Sequence, residues 1–151
     1  MKEIIKWTIF IIPLLSLLFI NKQKLRKFLP VSLFVTVINT LFYQAAYHYN
    51  WWKEASLFGW DKYANVHWVY SAYLVATIWI FSLTYGNFIK YFITNAVLDA
   101  IYAYLWYPLL GKLGMASGEL SYTGNYMLML LVALLIYLFQ IWYEKGDSKS
   151  S

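Results

Sequence analysis

Five long apolar runs, separated by short polar connections, make up most of this 151-residue chain. A helix that crosses a bilayer needs about 20 mainly apolar residues, and it satisfies its backbone polar groups within the segment. Hydrophobic residues form 62% of the sequence and charged residues only 13%, against about 25% charged residues in an average soluble domain. The pattern therefore predicts an all-α fold, an integral membrane bundle of five transmembrane helices.

The five runs form a single predicted transmembrane domain over residues 1–151. They lack the regular polar alternation that a membrane barrel needs. No small-residue cleavage site follows the first run, so we interpret it as a retained helix rather than a signal peptide. The predicted spans are Ile4 to Ile20, Phe28 to Tyr49, Ala64 to Tyr85, Tyr91 to Leu110 and Tyr126 to Tyr143, and a polar tail from Glu144 to Ser151 is expected to be disordered.

The composition argues against several classes of protein. The chain has no cysteine, which excludes disulfides, thiolate catalysis and iron–sulfur clusters. Its net charge of +5 comes from basic residues in short connections, so we expect topology signals and no nucleic-acid partner. No serine lies in a G-x-S-x-G motif. We expect no cofactor, and we favour a protein without enzymatic activity.

Basic residues predict the orientation of the chain in the cell membrane. The connection from Lys22 to Lys27 contains four Lys and Arg residues and no acid. Short cytoplasmic connections have an excess of Lys and Arg, so we place this one inside, the N-terminus outside and the C-terminus in the cytoplasm. Lys2 and Lys6 lie outside in this orientation and argue against it.

Polar residues within the spans predict which helices meet. Unpaired polar groups in hydrocarbon cost several kcal/mol, so they should face protein. The first and fifth spans have few such groups, and we expect them to be lipid-facing covers around an inner trio. The second span has a stripe at a spacing of four residues, Ser32, Thr36, Thr40, Gln44 and His48, flanked by Asn39, and the fourth span has Asn87, Tyr91, Asn95 and Asp99.

Asp99 is the strongest candidate for a functional residue. It lies about 12–14 Å from either end of its span, at about 1.5 Å per helical residue, and so near the middle of the bilayer. An intramembrane carboxyl group could take up and release protons. It could equally hold helices together by hydrogen bonds to Asn95, Asn39 or a tyrosine. Gln44 completes the set of intramembrane polar candidates.

The two histidines, His48 and His67, lie at the outer ends of the second and third spans. They could cap the bundle by hydrogen bonding at the wet interface. They could instead bind a metal, with Asp61 or Glu54 completing the site, or form a pair of axial haem ligands. No H-E-x-x-H or C-x-x-C-H motif favours either alternative.

The connection from Asn50 to Tyr63 is unusually aromatic. It contains Trp51, Trp52 and Trp60 among charged residues. Trp and Tyr favour the headgroup region, where the ring is buried and the polar atom stays hydrated. We expect an interfacial segment on the outer surface, as an aromatic belt or as a docking site for lipid or a partner.

The layout resembles a family of small multi-span membrane proteins of endospore-forming Gram-positive bacteria. The resemblance rests on the turns from Ile20 to Arg26 and from Tyr85 to Phe92, and on the closing helix rich in Tyr and Trp. It implies a bacterial multi-pass protein. No activity is established for that family, so the resemblance implies no mechanism.

These observations favour a non-enzymatic membrane protein that acts through contacts with lipids or with membrane proteins, including copies of itself. A small proton-coupled carrier or channel subunit centred on Asp99 is the first alternative. A haem or metal protein that uses His48 and His67 is the second.

Overall fold

The computed structural model of the chain is built from helices joined by short connections, and the all-α prediction is confirmed. It describes the backbone of residues 1–150 and the side chains of residues 1–146, and it is 78% helical. Apart from the helices, the described chain has one two-stranded ribbon. The helices are α1 (Lys2–Ser16), α2 (Lys22–His48), α3 (Tyr73–Thr84), α4 (Phe88–Ile101), α5 (Tyr107–Lys112) and α6 (Tyr122–Ser150), and the strands are β1 (Lys53–Glu54) and β2 (Ala116–Ser117).

Wider turns extend some of these helices into longer rods. A π-helical turn, Trp68–Ala72, leads directly into α3, and a second one, Tyr102–Trp106, joins α4 to α5. The helical backbone therefore runs without a break from Phe88 to Lys112. Single-turn π segments occur often at functional sites. In the described part of the chain the helices form five rods.

Two helices, Lys22–His48 and Tyr122–Gly146, are long and apolar enough by themselves to cross a membrane. The sequence predicts five such helices, so this part of the prediction is confirmed only for the second and fifth spans. The other helices are shorter as single elements. Helix α1 has 15 residues, and the π-helical turns divide the third and fourth rods.

One end of the bundle is covered by a folded cap, which we define as residues 50–65 and 113–121. The N-terminal helix is tied to it by two lysines. The Lys6 ammonium donates to the Ser56 carbonyl at 2.8 Å, and Lys2 donates to the Gly114 carbonyl at 3.4 Å. The start of α1 therefore lies at the cap.

The opposite end of the bundle, which we call the far end, is joined by polar contacts of its own. Lys24 at the start of α2 donates to the Ser82 carbonyl near the end of α3. Glu144 of α6 accepts a hydrogen bond from Tyr85 at 2.7 Å and pairs with Lys27 at 3.1 Å. Successive rods thus alternate in direction between the cap and the far end.

The cap is a folded unit rather than a loose surface segment. Strands β1 and β2 pair antiparallel, with Lys53 opposite Ser117 and Glu54 opposite Ala116. Gly118 has a φ of +150°, and a Cβ atom there would lie 2.3 Å from the Trp51 carbonyl oxygen, so only glycine fits this close approach.

Asp61 organises the longer segment of the cap. Its carboxylate accepts hydrogen bonds from the backbone N–H groups of Leu57, Phe58 and Val66, at 2.8–3.1 Å. Asp61 is buried. A carboxylate that accepts three backbone N–H bonds fixes a loop, because each donor would otherwise be buried without a partner.

The polar tail predicted from Glu144 onward is helical at its beginning. Helix α6 continues beyond Tyr143, and Glu144 is engaged with Tyr85, Gln140 and Lys27. The side chains after Gly146 lie outside the described residues.

Candidate functional site

A partly open cavity of about 270 Å³ lies between α2, α3, α4 and α6. Most of its wall is apolar, with a few polar side chains at separate points. This volume is near the lower limit of the roughly 300–1,000 Å³ typical of small-molecule sites. Its polar and aromatic lining residues are Asn39, Phe42, Tyr43, Trp52, Tyr73, Thr77, Asn95, Asp99, Tyr102 and Asn125.

Three predicted residues, Asn39, Asn95 and Asp99, line this one cavity. Asn39 comes from α2, and the other two come from α4. The spacing of four residues between Asn95 and Asp99 puts them on the same face of α4. The Asn95 amide donates to the Tyr91 carbonyl at 2.9 Å.

Several polar groups in the cavity have no protein partner. Among the described residues, none makes a hydrogen bond to the side chains of Asp99, Asn39 or Asn125. Asn125 is nevertheless only 7% exposed. Asp99 and Asn39 are half-buried, and polar groups that are removed from water in proteins nearly always have a hydrogen-bond partner. The cavity is therefore suited to a molecule that supplies one.

The polar stripe predicted on α2 proves to have a local role. The hydroxyl of Thr36 donates to the Ser32 carbonyl, and that of Thr40 donates to the Thr36 carbonyl, at 2.9 and 2.8 Å. Such bonds satisfy hydroxyl groups inside the same helix. The cavity is lined instead by the neighbouring face, with Val35, Asn39 and Tyr43.

Helix α6 belongs to the cavity wall, in contrast to the prediction of a lipid-facing cover. It contributes Asn125, Leu128 and Val132 to the lining, while Leu134 and Leu138 are exposed on its other side. The prediction rests on the small number of polar groups in this helix. An apolar helix face can line a cavity as well as contact lipid, so polarity alone could not separate the two.

Glu54 is the site residue whose role sequence reasoning missed. It is buried under the cap, where its carboxylate accepts hydrogen bonds from Tyr43, at 2.9 Å, and from Tyr102. Burial raises the pKa of the Glu54 carboxyl from 4.5 to about 7, although the hydrogen bonds from Tyr102 and Tyr43 act in the opposite direction.

Three tyrosines separate Glu54 from the cavity, and we call Tyr43, Tyr73 and Tyr102 the tyrosine roof. The ring centroid of Tyr73 lies 6.4 Å from that of Tyr43 and 6.2 Å from that of Tyr102. Trp52 packs edge-on against Tyr43 at 5.7 Å. All four rings line the cavity. Two of the roof tyrosines therefore contact the buried Glu54 carboxyl group, and all three line the cavity that contains Asp99.

Gln44 lies apart from this cavity. It is exposed and lines a separate surface groove with Thr40, Trp60 and Tyr70. The Thr40 and Tyr70 hydroxyls are hydrogen-bonded at 3.1 Å. The helical spacing correctly indicates that Gln44 continues the Thr40 stripe, but this stripe follows the side of α2 that is not turned to the cavity.

The two histidines have different environments. His48 is exposed and packs against Tyr49, whereas His67 is buried beside Trp68, with no hydrogen bond to its Nδ1 atom. Across residues 1–146, no three His, Cys, Asp or Glu side chains form a group that could hold a metal ion. The metal and haem interpretations stay hypotheses without a structural argument in their favour.

No family model, curated protein or solved structure matches this chain. The cavity and the tyrosine roof are therefore the features from which a function can be inferred.

Proposed function

We propose that the chain is a multi-pass membrane protein of the cell membrane in which all five rods cross the bilayer. The alternating direction of the rods supports this topology. The continuous helix from Phe88 to Lys112 is long enough, roughly 37 Å at about 1.5 Å per residue, against a hydrocarbon core of about 30 Å. Exposed apolar side chains such as Leu41, Leu83 and Leu105 are typical of lipid-facing helices. A place among the small multi-span proteins of endospore-forming bacteria is part of this proposal.

The proposed orientation places the far end in the cytoplasm and the cap outside. Seven Lys and Arg residues belong to the far end and its tail, and five belong to the cap side. Lys2 and Lys6 are two of those five, and both make hydrogen bonds to the cap. Their structural role explains why basic residues lie on the outer side, which removes the main objection to this orientation.

We further propose that the protein acts without catalysis by binding a small, largely apolar ligand from the membrane in the cavity. The single observation behind this is the set of cavity-facing polar groups without protein partners, on Asp99, Asn39 and Asn125. The apolar wall would take the body of the ligand, and these three groups would bind its polar end. The bilayer would supply the ligand, and contacts with another membrane protein or with a second copy would transmit the effect.

A fluorinated probe tests this function. We would titrate 4-(trifluoromethyl)benzyl alcohol into the protein in lipid discs and follow bound probe by ¹⁹F NMR, with empty discs as the blank. Ala76→Phe fills the cavity, whereas Val37→Phe adds the same ring to the exposed face of α2. Saturable binding that Ala76→Phe abolishes and Val37→Phe preserves is expected. Probe binding that Ala76→Phe leaves unchanged would contradict the proposal.

Proton-coupled transport is the second candidate function. The observation that favours it is the presence of two carboxyl groups, Glu54 and Asp99, on opposite sides of the tyrosine roof. Proton flux into liposomes, compared between the native chain and Asp99→Asn, would test it. An amide keeps the shape of the carboxyl group but does not titrate.

A further inference from the structure

We propose that the ligand of the cavity is an organic cation, a compact amine or quaternary ammonium group on an apolar body, with Asp99 as its counter-ion. The inference rests on the proposed ligand-binding function and names its substrate class. It follows from the charges of the lining residues, from the aromatic rings that line the same cavity as Asp99, and from the cost of leaving an ionised carboxylate there without a partner.

The charge of the lining has one sign. Asp99 is a carboxylate, and no Lys, Arg or His is among the lining residues that the structure describes. Asn39, Asn95 and Asn125 add neutral amides, which can orient a polar group but do not neutralise it. An anionic ligand would meet only repulsion from Asp99 at this site. A cation would be attracted.

The aromatic rings favour a cation over a neutral polar ligand. Trp52 and the tyrosine roof form one side of the cavity. A cation within about 6 Å of the face of such a ring is attracted by its quadrupole, and more strongly when the cation is desolvated. Aromatic groups of this kind recognise amines and quaternary ammonium ions.

Glu54 strengthens this preference from behind the rings. Two of the three roof tyrosines, Tyr43 and Tyr102, donate hydrogen bonds from their hydroxyl groups to its carboxylate. A phenol that donates a hydrogen bond to an anion has more electron density in its ring, so its face attracts a cation better. The negative charge of ionised Glu54 adds to the same field.

A counter-charge would stabilise the ionised form of Asp99. It lies in an apolar-walled cavity, and no described residue donates a hydrogen bond to its carboxylate. An ionised carboxylate in such a place is costly unless a cation pairs with it. A bound ammonium group supplies both the charge and the hydrogen-bond donors, and a quaternary one supplies the charge.

The test compares two probes of nearly equal shape, 4-(trifluoromethyl)benzylamine, which is cationic at neutral pH, and the corresponding alcohol. Binding of each to the full chain in lipid discs is measured by ¹⁹F NMR. We expect the amine to bind at least tenfold more tightly than the alcohol. Asp99→Asn should remove this preference and keep alcohol binding, whereas Glu119→Gln, at an exposed carboxylate of the cap, should leave it unchanged.

The outcomes separate the two proposals. If the alcohol binds saturably in the cavity as tightly as the amine, the cation assignment is wrong and the ligand-binding function stands. If neither probe binds in a way that Ala76→Phe abolishes, both proposals are wrong. A preference for the amine that survives Asp99→Asn with an unchanged melting temperature overturns the role of Asp99.

Discussion

The Tyr43 hydroxyl donates a 2.9 Å hydrogen bond to the Glu54 carboxylate, and this contact joins the long helix α2 to the strand β1 of the cap. Tyr102 donates to the other oxygen of the same carboxylate from the π-helical turn after α4. One buried acid thus connects three parts of the chain that are distant in sequence. Its protonation state should affect both the stability of the cap and the field in the cavity.

We predict that Glu54 makes the stability of the protein depend on pH. Its folded-state pKa is about 7 and its ordinary value is 4.5, so between these values the folded chain holds a proton that the unfolded chain has lost. Stability should therefore fall as the pH rises through this range, by roughly 3.5 kcal/mol at about 1.4 kcal/mol per pKa unit, and stay level above it. Thermal unfolding of the native chain and of Glu54→Gln from pH 4.5 to 8 measures the difference. A fall of the same size in both proteins would contradict this role.

Tyr43→Phe should raise the pKa of Glu54 further. The substitution keeps the ring that packs against Trp52 and Tyr73 but removes a hydrogen bond that favours the charged carboxylate. Infrared spectroscopy of the protonated carboxyl band, with Glu54→Gln to identify it, should show a midpoint at higher pH. Tyr104→Phe is the matched control, because that exposed hydroxyl bonds only to Thr123. An unchanged midpoint in Tyr43→Phe would exclude the bond as a cause.

Asp61→Ala should loosen the cap. Three backbone N–H groups, those of Leu57, Phe58 and Val66, would lose their acceptor, and each buried donor without a partner costs about 1–3 kcal/mol. We expect faster hydrogen exchange at these amides and a lower melting temperature. Lys62→Ala, at the exposed neighbouring position, should change neither. Protection of the three amides in Asp61→Ala would show that other contacts hold the loop.

Single-cysteine labelling tests the orientation. The native chain has no cysteine, so Lys24→Cys at the far end and Lys62→Cys in the cap provide the only thiols. An impermeant reagent applied to intact cells should label position 62 and not position 24, because the proposed orientation places the basic far end in the cytoplasm. The reverse pattern would invert the orientation without affecting the cavity.

The sequence was sufficient for some features and insufficient for others, for physical reasons. Helical periodicity and apolar length predicted the all-α fold, and the spacing of four residues placed Asn95 and Asp99 on one helix face. Asn39 was identified only as a polar residue that flanks the stripe on the second span. The role of Glu54 depends on the pairing of β1 with β2, a contact between residues about 60 positions apart that local patterns do not encode. The aromatic connection was expected at the surface because its Trp and Tyr residues favour interfaces, whereas Trp52 is buried against the bundle.

Photoaffinity labelling in native membranes tests the central claim, a ligand site in the cavity between α2, α3, α4 and α6, most directly. A benzylamine with a photoreactive diazirine would be cross-linked to the intact protein and the labelled peptides mapped by mass spectrometry. The predicted result is labelling of cavity residues on α4 and α6, such as Asn95, Leu128 and Met129, that excess unlabelled amine suppresses and Ala76→Phe abolishes. Labelling confined to exposed positions such as Leu83 and Leu138, without competition, would contradict the claim.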